Sequence, residues 1–188
     1  QFPKFIMNVQ DLWDASQYGG EYLLGADIEI TEALADNYGT YVKTKLKIDL
    51  NGYGIKMNVK PKEDSSKYYY GMFYVCKGGT LDIVGNGTMD MAQADMPLIW
   101  CTGEGSTVNI YGGHWTETSD ILNETFDNCE GIYARSYGTV NIYGGTFDWD
   151  CNPQITVNES NKGVINLYGG EFKATPNFIY GSGDPSML

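Results

Sequence analysis

The sequence predicts an all-β fold, a single-stranded parallel β-helix (solenoid) of about five rungs with a short capping helix at its N-terminus. Three observations predict it. One phrase recurs along the chain at the spacing of a small supersecondary unit. Each copy alternates apolar and polar residues, which is the period of a strand. Glycine is abundant, 24 of 188 residues, and returns at the same place in the copies.

The elements follow in chain order. Asn8-Val9-Gln10-Asp11-Leu12-Trp13-Asp14-Ala15 reads as a short helix, with Asn8 as N-cap and Asp11 in the first turn. Leu12, Trp13 and Ala15 are then available to cover the first rung. The arm and helix take residues 1–20, the solenoid 21–180 and a tail 181–188. Four segments nearly superimpose: Gly79–Gly85, Ser106–Gly113, Gly138–Gly145 and Gly163–Gly170. Lys47-Ile48-Asp49-Leu50-Asn51-Gly52 is a fifth, weaker copy. Aligning Asp49, Asp82, Asn109, Asn141 and Asn166 gives spacings of 33, 27, 32 and 25. Within a copy, Val140 and Ile142 face one way, Asn141 and Tyr143 the other. A large apolar residue follows the Gly pair: Trp115, Phe147 or Phe172. A second short strand precedes the copies, at Phe73–Val75, Leu98–Trp100, Gly131–Tyr133, Gln154–Val157 and Phe178–Tyr180.

One such unit cannot bury its own apolar face, whereas stacked units can, at about 4.8 Å per rung. The expected inward stacks are Ile48, Leu81, Val108, Val140, Ile165 and Leu50, Ile83, Ile110, Ile142, Leu167. The Gly pairs serve corners where φ is positive or a side chain would clash. Glu117–Cys129 and Met91–Pro97 read as insertions between rungs. An antiparallel sandwich built from the same strands gives no reason for the phrase to recur. An open rung presents unpaired backbone groups. No helix is visible at Gly181–Leu188 to cover the last one, so the tail or another chain is expected there.

Composition excludes several functions. Twelve Lys and Arg against 24 Asp and Glu give a net charge of −12, which argues against phosphate-backbone binding and so against nucleic acid. It also argues against a basic membrane-surface helix. No run approaches the roughly 20 apolar residues of a membrane span. No P-loop, dinucleotide fingerprint or zinc spacing appears, so neither cofactor nor metal is expected. The chain opens at Gln1 with no visible signal peptide; a processed chain and an excised fragment fit that start equally.

Gly19-Gly20-Glu21-Tyr22-Leu23-Leu24-Gly25-Ala26-Asp27-Ile28, followed by Lys47–Gly52, resembles the entry into pectate-lyase-like right-handed parallel β-helices of gut bacteria and their phages. The N-I-Y-G-G-x-F repeat fits the same group, and the resemblance covers residues 8–180. It implies a right-handed coil, in keeping with strand twist. This fold hosts lyases, hydrolases, adhesins and phage fibres, so it does not by itself define an activity. A lyase of this fold needs an Arg or Lys base and often Ca2+-holding carboxylates; a hydrolase needs paired acids at a set separation. The candidates are Asp148 and Asp150, two apart and thus on one strand face, and Arg135. The family's repeated acid and Gly-His-Gly phrases are missing. His114 stands where other copies carry Thr146 and Glu171, an exposed strand position rather than a catalytic one.

Cys76, Cys101, Cys129 and Cys151 lie 25, 28 and 22 apart, close to one rung each. Two readings stay open: bridges Cys76–Cys101 and Cys129–Cys151, or four reduced thiols acting as small apolar residues. The outward row Asn51, Val84, Tyr111, Tyr143, Tyr168 beside Asn109, Asn141, Asn166 forms an amphipathic face, with Tyr68-Tyr69-Tyr70 and Tyr74 adding aromatic area. That face suits a glycan, a partner chain, or only the ladder itself. The expected function is a non-catalytic structural or adhesive module of a phage fibre, a head-decoration protein or a bacterial surface adhesin, in the virion or at the cell surface. The expected partners are further copies, a trimer on the resemblance, other virion or surface proteins, and polysaccharide. The other class is a secreted carbohydrate-active enzyme using Asp148, Asp150 and Arg135.

Overall fold

The computed structural model describes residues 3–31, 40–59, 71–93, 98–117, 131–148, 155–157, 162–173 and 179–181, with the backbone path alone for 91–93, 155–157 and 179–181. Strands dominate, and the one helix among the described residues is short. The strands form three sheets in which every pairing is parallel. The first sheet runs Lys4–Ile6, Gly20–Leu24, Lys45–Asp49, Thr80–Val84, Thr107–Ile110, Thr139–Ile142, Val164–Leu167. The second runs Ile28–Ile30, Gly54–Asn58, Thr88–Gln93, His114–Thr116, Thr146–Asp148, Glu171–Phe172. The third runs Thr40–Val42, Phe73–Val75, Ile99–Thr102, Ile132–Arg135, Ile155–Val157, Ile179–Gly181. From Gly20 the chain visits the three sheets in turn, six times among the described residues. Parallel neighbours need a long connection between them, and here the other two sheets supply it.

Alternation sends one side-chain set inward. Leu46, Leu81, Val108 and Val140 form one row, Ile48, Ile83, Ile110 and Ile142 the next. The second sheet adds Ile28, Ile55, Met89, Trp115 and Phe147. The third adds Phe73, Ile99, Ile132 and Val42, Val75, Cys101, Ala134. All are at most 2% exposed, so the three sheets share one continuous core.

Four expectations need correction. The weak copy is displaced by two: Leu46, not Ile48, lies level with Leu81, and Ile48 with Ile83. A slip of two leaves every side chain on its own face, so alternation cannot detect it. Leu50 instead turns the corner and is buried there. There are six circuits rather than five, because Gly20–Val42 makes a circuit without the recurrent phrase. Leu167 is 42% exposed and Ile165 half-buried; among the described residues their strand ends the first sheet and has a partner on one side only. Met91–Gln93, read as insertion, continues the strand Thr88–Gln93.

The N-terminal end is closed by two devices. The helix spans Val9–Tyr18, and the Asn8 side chain accepts from the Asp11 N–H at 2.9 Å while the Asp11 carboxylate accepts from the Met7 N–H. This reciprocal arrangement satisfies otherwise orphaned amides. Leu12 and Ala15 are buried and Trp13 half-buried, with the helix packed on the strands Lys4–Ile6, Ile28–Ile30 and Thr40–Val42. Lys4–Ile6 pairs with Gly20–Leu24 and occupies an edge that would otherwise be bare. The arm expected over residues 1–20 therefore holds a strand that carries no copy of the phrase.

The Gly pair has two separate causes. A Cβ on Gly144 would stand 2.7 Å from the Tyr111 carbonyl oxygen of the preceding circuit. Gly145 has φ +105, a conformation L side chains rarely adopt. Gly112 and Gly113, and Gly169 and Gly170, repeat the pattern. Gly144→Ala forces backbone apart rather than a flexible side chain, and the expected cost is about 2 kcal/mol. A lower denaturant midpoint at unchanged slope is the readout.

Candidate functional site

The outer face of the first sheet carries two registered columns. In the polar column, Asn109 Nδ2 donates to Asp82 Oδ1 at 2.7 Å, Asn141 Nδ2 to Asn109 Oδ1 at 2.9 Å, and Asn166 Nδ2 to Asn141 Oδ1 at 2.8 Å. Lys47, level with Asp82, pairs with Glu21 at 3.4 Å. In the aromatic column, Tyr111 and Tyr143 stack at 4.8 Å and 7°, and Tyr143 and Tyr168 at 4.9 Å and 10°. These spacings match neighbouring strands. The three rings are 49%, 44% and 65% exposed. Because each ring faces the next, solvent meets their edges and hydroxyls. Those hydroxyls find no hydrogen-bond partner among the described residues. Desolvation between its neighbours, with the Tyr111 and Tyr168 phenols adding to it, raises the Tyr143 ionisation above the usual tyrosine range. Val84 precedes the column as expected, but Asp49 rather than Asn51 lies level with it, by the same two-residue displacement.

The catalytic candidates do not converge. Asp148, on the outer face of the second sheet, contacts the Lys173 ammonium and lies 3.8 Å from His114 Nε2. Arg135 places its guanidinium over the Trp100 ring of the third sheet, 5.4 Å from the centroid. The two therefore belong to different sheets. Asp150 lies outside the described residues, as do Tyr68, Tyr69 and Tyr70. A cleft of about 350 Å³ on the second sheet is lined by Asp27, Glu29, Lys56 and Asp90. Among the described residues no three His, Cys, Asp or Glu groups are arranged to hold a metal ion, and no helix is long and apolar enough to cross a membrane.

No protein family, curated protein or solved structure matches this chain.

Its own geometry therefore has to carry the reading. Cys76 and Cys101 are free. The register explains why they do not bridge: Cys101 lies level with Val75 and points inward, and Cys76 follows Val75 on the opposite face. Burial pushes the Cys101 thiol up to about 12, partly offset by its hydrogen bond to the Thr139 carbonyl. Burial also raises Cys76, against the opposing pull of Lys43 and Lys77. Cys129 and Cys151 lie outside the described residues.

The third sheet holds a second aromatic row. Tyr41, Tyr74, Trp100 and Tyr133 share one register position. Their rings meet edge to face: Tyr41–Tyr74 at 5.2 Å and 68°, Trp100–Tyr133 at 5.1 Å and 76°, with Tyr74–Trp100 tilted at 46°. This row, apart from Tyr74, was not singled out in the sequence. Its signal was present, since an aromatic residue follows the first apolar residue of the short strand before each phrase, in Phe73-Tyr74, Ile99-Trp100 and Ile132-Tyr133.

Proposed function

We propose that the chain is a right-handed parallel β-helix serving as a non-catalytic structural or adhesive module, which assembles with further copies of itself through the outer face of its first sheet. The coil is supported by the order in which the chain visits its three sheets, and its hand by strand twist and the resemblance. The virion or cell-surface setting and the trimer rest on that resemblance.

One observation carries the assembly. In the last three described circuits, the outward positions of the first sheet are Thr107, Thr139, Val164, then Asn109, Asn141, Asn166, then Tyr111, Tyr143, Tyr168. None is charged, in a chain of net charge −12. Like-charged copies repel wherever their charged faces meet, so an uncharged face is where contact costs least. Stacking also holds the tyrosines in place beforehand, which reduces the ordering cost of association.

Light scattering over a concentration series tests this. The expected mass is a multiple of 20.9 kDa, three for a trimer. Tyr143→Ser removes the central ring, and the expected result is association weakened about tenfold or more with an unchanged far-ultraviolet spectrum. A wild-type monomer at every concentration overturns the reading.

A further inference from the structure

We infer that the outer face of the third sheet is a binding site for an anionic saccharide, a sugar chain bearing carboxylate or sulfate groups. The inference deepens the adhesive reading above but uses different residues on a different sheet. A groove of about 690 Å³ lies there, lined by Tyr41, Lys43, Tyr74, Lys77, Thr102 and Glu104, with Cys76 in its wall.

Three features define the ligand. The first is ring presentation. The stacked column of the first sheet offers edges, whereas on the third sheet the half-buried Tyr41 ring offers a face. The Lys43 ammonium lies over the Tyr41 ring, 4.7 Å from its centroid, and Arg135 lies over Trp100. Lys43 is exposed, so the Tyr41 face beneath it is one that the apolar face of a pyranose reaches when the ammonium moves aside, whereas Trp100 is buried beneath Arg135. The second is charge. Lys43, Lys77 and Arg135 border this face, and both lysines line the groove together with Cys76. Among the described residues that line the groove, Glu104 is the one acid against Lys43 and Lys77, on a chain of net charge −12. The third is backbone. Of the strands beneath the groove, Phe73–Val75 and Ile99–Thr102 are paired on both sides, and Thr40–Val42, which ends the sheet among the described residues, has the helix Val9–Tyr18 packed on it, so an added peptide strand meets the helix at that edge. The side chains that remain, an aromatic floor with Thr102, Glu104 and two ammonium groups, suit the hydroxyls and acid groups of a sugar. An anion recruits Lys43 from Tyr41, because a charge-assisted hydrogen bond is stronger than an exposed cation–π contact.

Calorimetric titration of the full chain tests this with three oligosaccharides: hyaluronan (carboxylate only), carrageenan (sulfate only) and maltohexaose (neutral). The expected result is binding of one or both anionic probes, weakened by salt, with the neutral probe at least tenfold weaker. Lys43→Gln and Lys77→Gln are each expected to lose about tenfold, and Glu104→Gln to gain affinity. All three side chains are exposed, so the fold tolerates these changes. Equal affinity for the neutral probe, indifference to all three substitutions, or no binding of any probe overturns the inference. Tyr143→Ser is expected to bind sugar like wild type, which separates failure of this site from failure of the assembly face.

Discussion

Phe147→Ala is expected to remove about 3–5 kcal/mol of folding stability, the range for deleting a buried aromatic side chain. Phe147 is fully buried and stacked between Trp115, at 5.6 Å and 16°, and Phe172, at 4.8 Å and 12°. The strands carrying these rings are paired in register, Trp115 to Phe147 to Phe172. Backbone pairing holds the two outer rings at their distance, so they cannot close over the gap. The cavity persists, and the cost belongs to the upper half of the range. Phe147→Leu fills most of the space and is expected to cost about 1–1.5 kcal/mol. Urea unfolding of both variants measures the difference. A loss below about 1 kcal/mol for the alanine variant contradicts the second-sheet stack as core. The half-buried Phe172 should cost less than Phe147, because fewer of its contacts are lost.

The parts of this fold that were legible in the sequence are those where one position means the same thing in successive circuits. Val140 and Ile142 faced inward as expected because a strand leaves a side chain two choices, and the phrase made the choice repeatedly. The Gly pair was legible because backbone approach and positive φ both demand it. Where the phrase fades, so does the reading. Gly20–Val42 completes a circuit with Tyr22 level with Ile48, and no shared residue marked it. The displacement of Leu46 and Ile48 stayed hidden because a two-residue slip keeps the same face. The site was less legible than the fold. The Asn and Tyr columns follow directly from register. The environment of Asp148 depends on Lys173 and His114, each one circuit away, and that of Arg135 on Trp100, also one circuit away. Contacts across circuits are long-range, and a single sequence names the partners without saying which of them meet.

The polar column makes the last prediction, because its hydrogen bonds have a direction. The Asp82 carboxylate only accepts, so Asn109 must turn its amide nitrogen towards it. That leaves Asn109 Oδ1 for the Asn141 nitrogen, and Asn141 Oδ1 for the Asn166 nitrogen. One acid at one end therefore orients every amide after it. Asn141→Asp sets an acceptor against the Asn109 oxygen in a half-buried row. The expected cost at neutral pH is about 3 kcal/mol, since Asn109 Oδ1 loses its donor and meets a charged acceptor instead. The pH dependence has a definite sign. The folded state disfavours the ionised form, so it binds the proton more tightly than the unfolded chain, and the penalty grows as pH rises and is relieved in acid. Asp82→Asn is the control: an amide there still offers an oxygen to Asn109, and the expected cost is within about 1 kcal/mol. Unfolding measured across pH distinguishes the two. Equal costs for both variants, or a penalty for Asn141→Asp that does not shrink in acid, would show that the amides turn freely and that Asp82 does not direct them.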